Sequence, residues 1–318
     1  MECAVSAAAE RDARNLRTGL WLGLVGVTIF ALTLPVTRIA VGTPEAPQLS
    51  GFFVATARAT LAAIASLFFL AFTRAPVPAR GDWPALIVTS AGVVFGFPIL
   101  TSIAMRHLDA VHASVMTGIL PLATAVVGAL LHRQRPSIGF WLCAALGSVL
   151  VIVFALIQSD GPGLHLRPAD GLLLLACLCA AVGYAFGARL SARLRADHVI
   201  CWALVIALPL TLPAALFSWP AQPIASSAWW SLGYVALFSQ WLGFFAWYPA
   251  LALGGTVRVS QMLLLQPFLG MLFAVPLLGE SIGMTELLFA VAVIATVFVS
   301  RRMPVAPAPV SIAQGTKP

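Results

Sequence analysis

Clusters of proline, glycine and charge cut this chain into ten apolar runs of about twenty residues, and no other feature constrains its fold as strongly. The runs fall near residues 18–41, 48–72, 83–104, 109–131, 137–157, 170–191, 198–218, 228–250, 254–278 and 284–300. A bilayer core about 30 Å thick is crossed by about 20 apolar helical residues. Backbone in lipid must pair its own polar groups, so a spanning run is either a helix or a strand of a closed barrel. The runs lack strict period-two alternation, which leaves helices. The connectors are short and rich in breakers, among them Gly42-Thr43-Pro44, Ala75-Pro76-Val77-Pro78, Gly161-Pro162-Gly163, Trp219-Pro220 and Gly279. No soluble domain fits between the runs, and the first is too long for a cleaved signal peptide.

Composition narrows the class further. Hydrophobic residues make up 60% and charged residues 9%, with a mean hydropathy of +0.97. Eleven acids and 18 bases cannot cover a soluble core of 318 residues. A soluble enzyme, a disordered chain, a disulfide-rich secreted domain and a nucleic-acid-binding protein are therefore excluded. The net charge of +7 is a topology signal. Numbering the ends and loops alternately places 14 of the 18 basic residues on one side. The other side receives Arg106 and Arg167, and Arg38 and Arg58 fall inside spans. The positive-inside rule then puts both termini in the cytoplasm, with lipid head groups as the partner of the excess charge. Lys317 is the only lysine, a bias toward arginine that suggests a GC-rich bacterial genome. The expected location is the cytoplasmic (inner) membrane of a bacterium. The five cysteines show no CxxC and no metal-ligand spacing with histidine, so neither a disulfide nor a metal site is expected.

The chain also repeats itself. An offset of 146 residues aligns Ala104 with Ala250, Val111 with Val257, Ser114 with Ser260, Met116 with Met262 and Pro121 with Pro267. Each half then holds five spans. Five is odd, so the second half enters the membrane from the opposite side. Inverted repeats of this kind are a common transporter architecture, with the substrate site near the midplane between the halves. The predicted fold is all-α and membrane-integral: ten transmembrane helices as two inverted five-helix repeats. Its expected domains are an N-terminal cytoplasmic tail (1–17), a first repeat (18–157), a second repeat (170–302) and a C-terminal cytoplasmic tail (303–318).

Specific stretches carry a family resemblance. They are Phe30-Ala31-Leu32-Thr33-Leu34-Pro35-Val36-Thr37-Arg38, Ala57-Arg58-Ala59-Thr60-Leu61-Ala62 and the closing Leu277-Leu278-Gly279-Glu280. Over residues 18–302 the chain resembles the drug/metabolite transporter superfamily, EamA-domain type. Two departures stand out: Phe30-Ala31 where the pattern has Trp-Gly, and His132-Arg133-Gln134 where the first repeat has Gly-Glu. The resemblance implies a central cavity between the halves and export of small metabolites, often amino acids.

Candidate site residues are set by position. Arg58 lies about 15 Å into the second span, near the midplane. A charge there must face the bundle interior or water, as an anion contact or a structural residue held by carbonyls. Arg38, nearer its helix end, can snorkel outward. Pro121 and Pro267 each interrupt a span about twelve residues in, freeing the carbonyls of Thr117 and Leu263. Pro35, in the first of the stretches that carry the resemblance, is placed with them near the site. Gln261 and Gln266 make the ninth span the most polar. Trp230, Tyr234, Phe238, Trp241, Phe245 and Tyr248 recur at spacings of four and three along one face of the eighth span. Of these, Tyr234, Phe238 and Trp241 are the cavity candidates and Trp229, Trp230 and Trp247 belong to the interfacial belt or to packing. The predicted substrate-binding set is Pro35, Arg58, Thr117, Pro121, Tyr234, Phe238, Trp241, Gln261, Gln266 and Pro267. Gly92-x-x-x-Gly96 and Gly183-x-x-x-Gly187 read as close-packing faces. All eleven acids fall in tails, loops or terminal turns, so no midplane carboxylate relay is expected. His112 reads as a rim residue.

These features predict a secondary transporter that exports small polar metabolites such as amino acids by alternating access, with no catalytic residues, cofactor or metal. An exporter of quaternary ammonium compounds is the alternative, suggested by the aromatic stripe. An intramembrane enzyme would need a nucleophile and base at one depth, and neither HExxH nor GxSxG occurs. A non-transporting scaffold is the third class. Oligomeric state has no sequence signal.

Overall fold

A computed structural model of the chain describes residues 2–131, 135–157, 167–191, 193–254, 260–303 and 305–306. Among the described residues, eight helices are long and apolar enough to cross a membrane: α1 (Arg17–Val41), α2 (Gly51–Phe72), α3 (Arg80–Ala104), α4 (Ala110–Leu131), α5 (Ile138–Ile157), α6 (Pro168–Leu190), α7 (Ala196–Phe217) and α8 (Ser226–Leu253). Two shorter apolar helices, α9 (Met262–Leu278) and α10 (Met284–Ser300), complete the ten. Helical backbone continues from α1 back to Glu2. The one pair of strands described is two residues long and joins Arg135–Pro136 to Val305–Ala306.

Packing obeys the repeat. The closest pairs are α1 with α8, α3 with α6, α2 with α7 and α5 with α10, and α4 lies on α6 as α9 lies on α1. Exchanging each helix for its counterpart five places on returns the same set of pairs. The molecule is thus two interlocked inverted repeats, and each of these contacts joins one half to the other. Small residues permit the close crossings. A Cβ on Gly92 would lie 2.9 Å from the Gly183 Cα, and one on Gly243 would lie 2.6 Å from the Phe30 ring.

The helices are interrupted where the sequence removes or diverts backbone donors. Pro35 has no N–H, and α1 turns at Leu32 before resuming at Thr33. In α4, Gly118 and Ile119 bond three residues back, to Val115 and Met116, just before Pro121. In α9, a 3₁₀ stretch over Ser260–Leu265 precedes Pro267. The two interruptions meet, since a Cβ on Gly118 would lie 3.3 Å from Pro267 Cγ. The third helix of each repeat contains a π-helical stretch, Ser90–Gly96 in α3 and Val235–Leu242 in α8. The 146-residue offset carries the first onto 236–242, so the irregularity is part of the repeat.

Polar ties close one end of the bundle. Arg106 donates to the carbonyls of Val41 (3.1 Å) and Leu49 (2.7 Å), clamping the α1–α2 connection. Arg38 donates to the Met105 carbonyl at 2.7 Å, with exposed Asp109 at 3.5 Å. Glu280, in the α9–α10 connection, accepts from the N–H groups of Ala110 (2.8 Å) and Val111 (2.7 Å) and so caps α4. The sequence expectations for His132-Arg133-Gln134, Gly161-Pro162-Gly163, Arg258 and the tail beyond 306 fall outside the described residues.

Candidate functional site

A cavity with about 340 Å³ of free space lies between the halves. The first repeat contributes Phe30, Thr33, Arg58, Val93 and Phe97, and the second contributes Ala180, Tyr184, Ser239, Gln240, Phe244 and Gln266.

The polar floor begins with the two π-helical stretches. In α3 the Phe97 N–H bonds Gly92, five residues back, and Pro98 has no N–H. The Val93 carbonyl is thereby left free. Gln240, in the α8 stretch, supplies the missing donor through Nε2 at 2.9 Å. Its neighbour Ser239 sits 2.8 Å from Thr33 Oγ1 and accepts from Arg58 Nη2 at 3.1 Å. One hydroxyl therefore joins α1, α2 and α8 across the halves.

Arg58 is 2% exposed. Its Nε and Nη1 have no hydrogen-bond partner among the described residues, nor does the buried Oε1 of Gln266. No carboxylate pairs with Arg58 among the described residues. A guanidinium stays charged, so this site holds a positive charge with donors in reserve. Around it stands an aromatic wall: Phe30 against Phe244 with centroids 5.1 Å apart, and Tyr184 against Phe244 at 6.0 Å. The arrangement can take an anionic or strongly accepting group at Arg58, an N–H or ammonium donor at Gln266, and an apolar body on the rings.

Two of the ten expected substrate-binding residues, Arg58 and Gln266, line this cavity. Pro35, Thr117, Pro121 and Pro267 are buried in the helix interruptions, with Thr117 Oγ1 donating to the Ser114 carbonyl at 3.0 Å. Tyr234 stacks on Phe238 and donates to the Ile29 carbonyl at 3.1 Å, and Trp241 packs on Phe69 and Phe245. The side chain of Gln261 lies outside the described residues. The π-helical stretch accounts for α8: a helix with regular 3.6-residue turns would keep the stripe on one face, and a wider turn rotates the residues beyond it. Phe238 is consequently 47% exposed, while Ser239, Gln240 and Phe244 reach the cavity. The adjacent Ser239-Gln240, polar in an apolar run, was the available signal.

His112, one turn into α4 as expected, is not solvent-exposed. It is buried, stacked on Phe154 at 4.9 Å, and its Nε2 lies 2.7 Å from Asp170 Oδ1. Each residue stands in the first turn of its helix, and those turns meet because α4 packs on α6.

The comparisons agree with this architecture. The EamA-like transporter family matches twice, over residues 17–157 and 167–302. A Bacillus subtilis (strain 168) protein described as "Uncharacterized transporter YdeK" is 43% identical over 293 residues, covering 91% of this chain and 99% of its own length. A Streptantibioticus cattleyicolor protein described as "Probable terminal-alkyne amino-acid exporter" is 25% identical, over 84% of this chain and 87% of its own. A Salmonella typhimurium (strain LT2) protein described as "Probable amino-acid metabolite efflux pump" is 27% identical, over 88% of this chain and 93% of its own. A crystal structure with a TM-score of 0.60 at 17% identity covers 89% of this chain and 96% of its own, a likeness of fold. Two matched repeats, ten apolar helices and a cavity between the halves lead to one assignment: the chain belongs to the EamA-like transporter family.

Proposed function

We propose that this protein is a secondary transporter that exports small polar metabolites, amino acids foremost, across the cytoplasmic membrane of a bacterium. Both termini would lie in the cytoplasm, and the chain would act by alternating access rather than as an enzyme. One observation carries the reading: among the described residues, buried Arg58 has two donors without a partner, beside a cavity that both repeats line. An unpaired buried charge is costly, and a carboxylate-bearing cargo would offset that cost in each cycle. Gln266 Oε1 would accept from the cargo's amino group. Two relatives whose printed names include amino-acid export or efflux support the same cargo class. A quaternary ammonium cargo fits less well, since Arg58 would repel it in a low-dielectric cavity.

A thermal-shift screen of the purified protein against amino acids, polyamines and sugars tests the reading. A ligand at 100 times its Kd stabilises the folded state by about 2.7 kcal/mol. Amino acids should raise the melting temperature and polyamines should not. Stabilisation by polyamines alone would contradict the carboxylate reading.

A further inference from the structure

Outside the cavity, one buried pair of titratable groups crosses between the halves. His112 is 5% exposed and Asp170 is fully buried, and they meet at 2.7 Å. His112 belongs to α4 of the first repeat and Asp170 to α6 of the second. The other carboxylate oxygen of Asp170 accepts from the Arg167 N–H at 3.2 Å. Phe154 covers the imidazole, and Phe289 packs on Phe154 with centroids 5.3 Å apart. Nothing in the cavity chemistry uses this pair.

Its position gives it a consequence. An opening at this end that parts α4 from α6 would hydrate both side chains. With the imidazole protonated, the closed pair is a neutral ion pair with a charge-assisted bond. Without that proton, closure buries a net negative charge, which is unfavourable. Histidine is the side chain whose charge ordinarily changes between about pH 5 and 8. We infer that His112 and Asp170 form a proton-binding latch between the two repeats, closed when protonated and loosened when the proton leaves. The proton comes from water at that face onto Nε2 and returns to it. The ligand of this second site is the proton, so opening at this end is linked to pH. The inference rests on the alternating-access reading for its role.

Other charged groups stand on the elements around α4 and must be separated from the latch. They are Arg106, His107 and Asp109 before it, Arg38 on α1, Glu280 before α10, Glu286 on α10 and Arg167 before α6; α5 contributes no charged residue. All of them are retained in His112→Gln and Asp170→Asn, so a pH response of theirs would survive both substitutions.

The test places spin labels at Ala46→Cys and Gly171→Cys, one in each repeat at this end, in a chain whose native cysteines are replaced. Distances are measured in lipid without substrate, so the result does not depend on whether the chain transports. The wild-type pair should show a longer-distance population that grows as pH is raised. Both variants should lose that response. A wild type indifferent to pH, or variants that keep its response, would overturn the latch. Histidine-specific ¹⁵N labelling of the unsubstituted chain gives a second reading that needs no variant to fold. One of its five histidines should titrate in step with the distance change; if none does, the latch is likewise overturned.

Discussion

Ser239 is the residue on which the polar floor turns. It accepts from Arg58 and shares a hydrogen bond with Thr33, so Ser239→Ala leaves two buried polar groups without their partner. Gln240→Leu similarly orphans the Val93 carbonyl. Each should lower stability by about 1–3 kcal/mol, read as a drop in melting temperature, and Ser239→Thr should recover most of the loss. At the far end of α9, Glu280 caps α4 through two N–H bonds, and Glu280→Ala should cost about 0.5–2 kcal/mol. Burial holds the Glu280 carboxyl above its usual 4.5 despite those two bonds. A raised folded-state value means that the folded protein keeps the proton longer than the unfolded chain does. Stability therefore falls as pH rises through the window above 4.5 and levels off once the folded carboxyl has ionised. Across that window the melting temperature of Glu280→Gln should fall less, or rise more, with increasing pH than that of the wild type.

At the scale of the helix, glycine crossings and π-helical stretches decide what faces what. A Cβ on Gly92 would lie 2.5 Å from the Cys179 carbonyl and 2.9 Å from the Gly183 Cα, both backbone atoms that cannot swing away. Gly92→Ala should force α3 from α6 and cost about 1–3 kcal/mol. Gly233, with nothing within 4 Å of an added Cβ, should tolerate alanine within about 0.5 kcal/mol. Denaturation monitored by helical content checks both. The helices themselves were legible in the sequence because bilayer thickness fixes their length, and the Gly92 and Gly183 motifs were legible as spacing. The cavity face of α8 was not. Tyr234, Phe238 and Trp241 form a stripe only if every turn has 3.6 residues, and the π-helical turn breaks that assumption. The His112–Asp170 pair was hidden for a different reason. It depends on how deeply two helices from different repeats sit against one another, which periodicity within either helix does not encode.

For the whole molecule, inversion is the organising fact. The offset of 146 residues, visible as matched positions in α4 and α9, reappears as matched π-helical stretches and matched helix pairs. Arg58 was legible because a lone charge near the midplane has few places to go. Its partner Ser239 was not, being 181 residues away in the other repeat. The arginine distribution predicts the orientation: an impermeant thiol reagent outside intact cells should modify Ala221→Cys and spare Ala75→Cys, and the reverse pattern would invert the topology. The central claim is that cargo passes through the cavity by way of Arg58. Flux of radiolabelled amino acids in proteoliposomes, compared between wild type and Arg58→Ala, measures it most directly. Wild type should exceed protein-free vesicles. Arg58→Ala should fall to that background while melting close to wild type, and Arg58→Lys should recover little, since an ammonium lacks the planar fork. An alanine variant that is stable and transports as fast as wild type would contradict the account.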